Sequence, residues 1–254
     1  MKILHYFPLL FGFLYSCQFS ETSESDNQKE DPRHTLVFID KSASLSNDEN
    51  YQIQKYQDQV RLLVQEGIQR EGDRIDVYFL HENTLKGKSL QLIAKTKLDD
   101  TQNLNPTDKE SAELDFSLRL GKEKLDFEKK IMALIQEKNT SYSNQMTDIS
   151  SSLTILNSLP THSHAITAYY FSDMLESTRM GRDFHKQKPA NSTEAKTWAT
   201  DDAEKWKNIS LHQVSIVMVL PFNPLVSSQQ NDPFVTLYWK TLFENLGSLS
   251  VEEL

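Results

Sequence analysis

Apolar residues along this chain follow two patterns that alternate. Short, almost unbroken apolar runs predict strands at 34–39, 74–80, 90–98, 165–171 and 213–220. Apolar residues at helical spacing predict helices at 51–69, 125–137, 149–159 and 234–246. Buried strands that alternate with amphipathic helices are typical of a doubly wound α/β domain, with a mostly parallel sheet and helices on both faces.

The first 32 residues lie outside this pattern. Residues 1–16 begin with Met1-Lys2 and continue as an apolar run too short to span a bilayer comfortably, which predicts a cleaved signal peptide. Residues 17–32 are polar and acidic, and they predict a flexible tether because little apolar surface is available to offset the entropy of ordering. Residues 33–254 are enough for a single domain with a sizeable core.

Two long polar stretches, near 83–121 and 176–208, interrupt the domain as insertions. Stretches of this length between elements are usually functional or disordered. The second one follows the strand at 165–171 and contains Trp198 and Trp206 among charged residues. We expect it to form a rim that selects a partner, with few of its apolar residues in the core.

Oxygen-bearing side chains follow the first predicted strand as a cluster of Asp40, Ser42 and Ser44. Asp173 directly follows a later strand, and Thr147 lies at the end of a polar loop before a predicted helix. Ligands of doubly wound sheets bind outside the carboxyl ends of the strands, where we expect these segments to meet. Hard oxygen donors are what a small divalent cation requires, so the sequence predicts a metal site.

The three segments, in this order, resemble the metal-ion-dependent adhesion site of von Willebrand factor type A (vWA) domains. The resemblance extends over nearly all of the mature chain and implies a vWA/Rossmann-like fold. It implies that Ser42, Ser44 and Thr147 offer hydroxyl oxygens to Mg²⁺ or Mn²⁺, while Asp40 and Asp173 supply negative charge directly or through water. Neutral ligands leave the cation underneutralised, so an Asp or Glu carboxylate of a protein partner completes its coordination.

The chain also departs from the family pattern. Met174 follows Asp173, and Met146 precedes Thr147, where members of the family commonly have glycine. Lys41 places an ammonium group inside the first motif. A structural subunit that keeps the fold and has a degenerate metal site is therefore one alternative, in which Asp40, the serines and Thr147 serve as ordinary helix caps.

No pair of nucleophile and base is evident near the cluster, so we predict a binding protein and not an enzyme. The alternative from a different class is a metal-dependent hydrolase of the cell envelope, for which His162, His164 and Glu176 are the available general bases. The two histidines also have a spacing that suits zinc. However, no third ligand is evident nearby, which favours a solvated loop.

The end of the signal peptide, Leu14-Tyr15-Ser16-Cys17, resembles a bacterial lipobox, in which the peptide is cut before the cysteine and that cysteine is acylated. The resemblance implies a lipid anchor at Cys17 and a place in the bacterial cell envelope, on the outer membrane and facing the periplasm or the surface. An ordinary cleaved signal peptide is the alternative. Because Cys17 is the only cysteine, no intramolecular disulfide is possible.

The charge of the chain bears on its partners. It contains 27 basic and 36 acidic residues, with a formal net charge of −9. The basic residues are scattered and form no stripe. Phosphate binding relies on clustered Lys and Arg, so we expect no nucleic-acid partner.

Overall fold

A single sheet lies at the centre of the computed structural model, which describes residues 31–41, 49–137, 146–160, 166–178, 182–222 and 232–254. Its strands are β1 (His34–Asp40), β2 (Arg74–Leu80), β3 (Lys88–Ile93), β4 (Ile166–Phe171), β5 (Val214–Val219) and β6 (Ser250–Glu253). The helices are α1 (Glu49–Gly67), α2 (Pro106–Gln136), α3 (Ser150–Asn157), α4 (Ser192–Lys205) and α5 (Pro233–Asn245). A short 3-10 helix, Thr84–Lys86, precedes β3.

The strand order across the sheet is β3-β2-β1-β4-β5-β6. β1 pairs in parallel with β2 and β4, and parallel pairing continues through β5 to β6, whereas β3 runs antiparallel to β2. The order reverses at β1, because β2 lies on one side of it and β4 on the other. Doubly wound folds bind ligands in the crevice at such a reversal. The predicted α/β fold with a mostly parallel sheet is confirmed.

Each face of the sheet carries its own hydrophobic cluster. Along β1, Leu36 and Phe38 belong to one cluster, while Val37 and Ile39 belong to the other. Residues of α3, α4 and α5 complete the first cluster, and residues of α1 and α2 complete the second. Burial on both faces explains why the strands are apolar nearly throughout and could be recognised from the sequence.

Two element boundaries differ from the prediction. α2 begins at Pro106 and not near Leu125, and the side chain of Asn105 caps it by accepting a hydrogen bond from the backbone N–H of Asp108. Its first half was missed because most of its side chains are exposed and leave no buried apolar face. β3 ends at Ile93, and the residues up to Leu98 are not part of the strand.

The stretch 176–208 contributes to the core, contrary to the expectation that few of its apolar residues would do so, while its role as a partner-selecting rim stays a prediction. It contains α4, and Phe184, Ala195 and Ala199 are fully buried within the first cluster. The helix was not predicted because its buried face is made of alanines, which give a weak hydrophobic signal. β6 was also not predicted, since it is short and ends in two glutamates.

Asp31–Leu254 forms one compact unit. Within its described ranges, no helix combines the length and the apolar character needed to cross a bilayer. The longest helix, α2, has 31 residues and carries charged side chains along its length.

Candidate metal site

Asp40 and Asp173 meet at the reversal of the strand order. Asp40 is the last residue of β1, and Asp173 follows the end of β4, where Phe171 pairs with Ile39. The two residues are 2% and 4% exposed. Burial raises the pKa of the Tyr56 hydroxyl, and the charges of Asp40 and Asp173 raise it further. The structure therefore brings these two predicted site residues together.

Ser172 links the two strand ends. Its hydroxyl donates a hydrogen bond to Asp40 Oδ2 at 2.7 Å and accepts one from the backbone N–H of Met174 at 3.0 Å. The carboxylate of Asp173 is fixed in turn, because its Oδ1 accepts from the backbone N–H of Leu175 at 3.0 Å. In the sequence, only its place beside Asp173 distinguishes Ser172 from other serines. Its hydrogen bond holds the carboxylate of Asp40 in one orientation.

Met174 adopts the left-handed backbone conformation, with φ of 61°. This conformation costs a residue with a Cβ roughly 1–2 kcal/mol, which explains the glycine that the vWA pattern commonly has here. The side chain of Met174 is fully buried, and its carbonyl accepts a hydrogen bond from Trp239 Nε1 at 2.8 Å. Core packing and the tryptophan thus hold the turn after Asp173 without glycine.

Lys41 places its ammonium group at the C-terminal end of α2. Nζ donates to the backbone carbonyl of Glu137 at 2.7 Å and to that of Leu134, and it lies 5.0 Å from the centre of the Phe79 ring. The C-terminus of a helix carries partial negative charge, which stabilises a cation there. Burial lowers the pKa of Lys41, and the charge of Glu137 opposes that shift. The ammonium group of Lys41 therefore binds the C-terminal carbonyls of α2.

Thr147 is buried in the segment before α3. Its carbonyl accepts a hydrogen bond at 2.9 Å from the backbone N–H of Ser177, in the segment that follows Asp173. Helix capping falls to the next residue, because Asp148 Oδ1 accepts from the backbone N–H of Ser151 at 3.0 Å. Asp148, and not Thr147, therefore caps α3 with its side chain.

The site residues predicted from the sequence all offer oxygen atoms, as a Mg²⁺ or Mn²⁺ site requires. Ser42 and Ser44 lie outside the described residues, as do Cys17, His162 and His164. Within the described ranges, no group of three or more His, Cys, Asp or Glu side chains could hold a metal ion. The predicted site has only two carboxylates, and its other ligands are hydroxyls. Of the predicted ligands, the described carboxylates of Asp40 and Asp173 are oxygen donors of the kind that such an ion takes.

Residues of α3, α4 and the segment after β4 line a cavity of about 920 Å³. Trp198 and Trp206 both contribute to its wall. Glu176 also lines it and is 1% exposed, and both of its carboxyl oxygens accept hydrogen bonds from the Ser150 hydroxyl, at 2.6 and 2.7 Å. Burial raises the pKa of Glu176 to about 8.

No protein-family model matches the sequence, and the comparison with curated proteins gives no match. Solved structures match at low sequence identity, and three of them are of different kinds. A von Willebrand factor type A protein from Catenulispora acidiphila is 10% identical, with a TM-score of 0.35, over 88% of this chain and 39% of that one. Proximal thread matrix protein 1 from the mussel byssus is 11% identical, with a TM-score of 0.32, over 84% of this chain and 48% of that one. The human COPII-coat protein Sec24c is 12% identical, with a TM-score of 0.33, over 89% of this chain and 30% of that one.

The chain thus spans less than half of the length of each of these proteins. The fold assignment rests on the sheet itself. Six strands, five of them parallel, with helices on both faces and an antiparallel edge strand, form a vWA/Rossmann-like α/β domain.

Proposed function

We propose that this chain is a membrane-anchored bacterial lipoprotein whose vWA-like domain binds a protein partner through a divalent-metal site. The observation that supports it most directly is the meeting of Asp40 and Asp173 at the reversal of the strand order. Two buried carboxylates that share one site repel each other, and a cation relieves this repulsion. Ligands of doubly wound folds bind at the same place.

Within this proposal each residue has a defined task. Asp40 and Asp173 would hold Mg²⁺ or Mn²⁺ directly or through water, and Ser42, Ser44 and Thr147 would contribute hydroxyl ligands. The bound ion would supply a coordination position for an Asp or Glu carboxylate of the partner. Ser172 keeps the carboxylate of Asp40 oriented through its hydrogen bond.

The alternative function is a metal-dependent hydrolase of the cell envelope, with Glu176 as the general base. A pKa of about 8 suits proton transfer near neutral pH. However, the Ser150 hydroxyl donates to both oxygens of this carboxyl, and Thr178 donates to Oε1 at 3.2 Å. These bonds tie α3 to the segment after β4. We therefore assign Glu176 a structural role and favour a binding protein over an enzyme.

The partner-binding proposal is tested with immobilised residues 31–254 and an extract of the cell envelope. Proteins captured in Mg²⁺ should be lost in EDTA and lost again with Asp40→Asn, which keeps the shape and the hydrogen-bond acceptor for Ser172 but removes the charge. Asp201→Asn removes a charge from an exposed residue and serves as the matched control. Capture that survives both EDTA and Asp40→Asn would contradict the proposal.

The lipid anchor is tested at Cys17. Replacement by serine removes the only thiol of the chain and should move the protein from the membrane fraction to the soluble fraction. Metabolic labelling with a fatty acid should mark the parent protein and leave the variant unmarked. Persistent labelling of Cys17→Ser would reject the anchor.

A further inference from the structure

α2 is apolar on two opposite faces. Leu120 and Phe127 lie on the face that is buried against α1 and the sheet. On the opposite face, Leu114, Leu118 and Leu125 are 61%, 58% and 53% exposed. One apolar stripe is enough to attach a surface helix to its own core. The second stripe therefore indicates contact with something outside the described part of this domain.

The exposed stripe has the spacing of a seam between two helices. Leu114, Leu118, Gly121 and Leu125 follow one another at intervals of four, three and four residues, as the d and a positions of a coiled coil do. Gly121 lies within the stripe, and a Cβ built on it would meet nothing within 4 Å. This open place can receive a leucine from a facing helix.

The charges beside the stripe show which helix fits. With Leu114 and Gly121 as d positions, the e positions are all charged and exposed, and they are Asp108, Asp115, Lys122 and Lys129. Two acidic positions are thus followed by two basic ones. In an antiparallel pair, e positions face e positions, and these pairs set partner and orientation. A second copy of α2 would place Lys122 against Asp115 and Lys129 against Asp108.

The parallel orientation fits less well. It sets g positions against e positions, so Glu110 would face Asp115 of a second copy and repel it. The antiparallel orientation also sets Leu118 against Gly121, so that a large side chain meets the open place. Within one copy, Asp115 forms an ion pair with Arg119 at 2.8 Å. Both side chains are exposed, so this pair contributes little free energy. Charge pairing and side-chain packing therefore both favour the antiparallel orientation.

We propose that two copies of this chain associate through an antiparallel pair of α2 helices, centred between Leu118 and Gly121. The acidic e positions of one copy face the basic e positions of the other. A two-fold axis uses the same patch on both copies, and only such an axis satisfies all four charged positions at once. The surface lies on the opposite side of α2 from the face that packs on the sheet.

Sedimentation equilibrium on residues 31–254 tests the proposal, since Asp31–Leu254 is one compact unit. The unsubstituted protein should show a reversible dimer, and Leu118→Lys should weaken it by about tenfold or more, because a charge would enter the seam. Leu249→Lys is the matched control, since Leu249 has the same exposed fraction of 58%. A monomer at all concentrations, or a dimer equally sensitive to both substitutions, would overturn the proposal.

A charge exchange separates self-association from other contacts of the same leucines. Asp115→Lys should weaken the dimer about tenfold, because the two-fold axis makes it replace two ion pairs with two like-charge contacts to Lys122 of the second copy. The double variant Asp115→Lys with Lys122→Asp should restore the affinity, because the two charges are exchanged and their attraction across the seam is kept. Circular dichroism checks that each variant is folded. A double variant as weak as Asp115→Lys alone would contradict the antiparallel pairing.

Discussion

At the scale of single residues, the orientation of Asp40 depends on the hydroxyl of Ser172. This buried group donates to Asp40 and accepts from the backbone N–H of Met174. It thereby couples the end of β1 to the strained turn after β4. Buried hydrogen-bonded groups of this kind are expensive to lose, because the partners they leave behind are desolvated.

We expect Ser172→Ala to lower the free energy of unfolding by about 1–3 kcal/mol, since two buried polar groups lose this partner. Urea denaturation followed by circular dichroism measures the change. Ser117→Ala, at an exposed position of α2, is the control. Equal effects from the two substitutions would show that the Ser172 hydroxyl has no special role.

Glu176 should make stability depend on pH. Its pKa is raised from 4.5 to about 8, so the folded protein keeps a proton that the unfolded chain releases within this interval. The contribution of Glu176 to the free energy of unfolding should therefore fall as the pH rises from 5 to 8. Glu176→Gln keeps an acceptor for Ser150 and cannot ionise, so its stability should change less over the same range. Parallel curves for the two proteins would contradict this account.

At the scale of elements, the strands could be predicted and two of the helices could not be predicted in full. Burial on both sheet faces gives strands such as β5 unbroken apolar runs. The first half of α2 turns Leu114 and Leu118 to the outside, and α4 buries Ala195 and Ala199. Neither helix shows the single strong apolar face that periodicity detects.

Two glycines at element positions should respond in opposite directions. Gly121→Ala should raise the free energy of unfolding by about 1 kcal/mol, because Gly121 lies inside α2 with open space around its Cβ position. Gly247→Ala should lower it, because Gly247 follows α5 with φ of 88° and a Cβ there would lie 2.4 Å from the His212 ring. Urea denaturation of dilute protein compares them. The same sign for both would contradict the helix assignment at Gly121.

At the scale of the whole molecule, the sequence was sufficient to predict that Asp40 and Asp173 share one edge of the sheet. Parallel strands bring their carboxyl ends together, so the positions after two strands are enough for this inference. The hydrogen bond from Ser172 to Asp40 and the left-handed turn at Met174 were not predictable, because both depend on the exact register of β1 and β4.

Removing α4 should unfold the domain. Asp202 of this helix is buried and accepts a hydrogen bond from the Tyr238 hydroxyl of α5 at 2.9 Å, and Arg182 also binds it. Replacement of 192–205 by a short glycine-serine linker exposes the first hydrophobic cluster. We expect loss of cooperative thermal unfolding, as followed by circular dichroism. A sharp transition in the shortened protein would mean that α4 is dispensable.

Titration calorimetry of residues 31–254 with Mg²⁺ and Mn²⁺ tests whether the sheet edge at Asp40 and Asp173 binds a metal ion. The unsubstituted protein should give a saturable heat with one ion per chain. Asp40→Asn and Asp173→Asn should abolish that heat, and Asp201→Asn should keep it, since Asp201 is exposed on α4. Equal heats from all four proteins, or no heat from any of them, would contradict the metal site and favour a structural subunit.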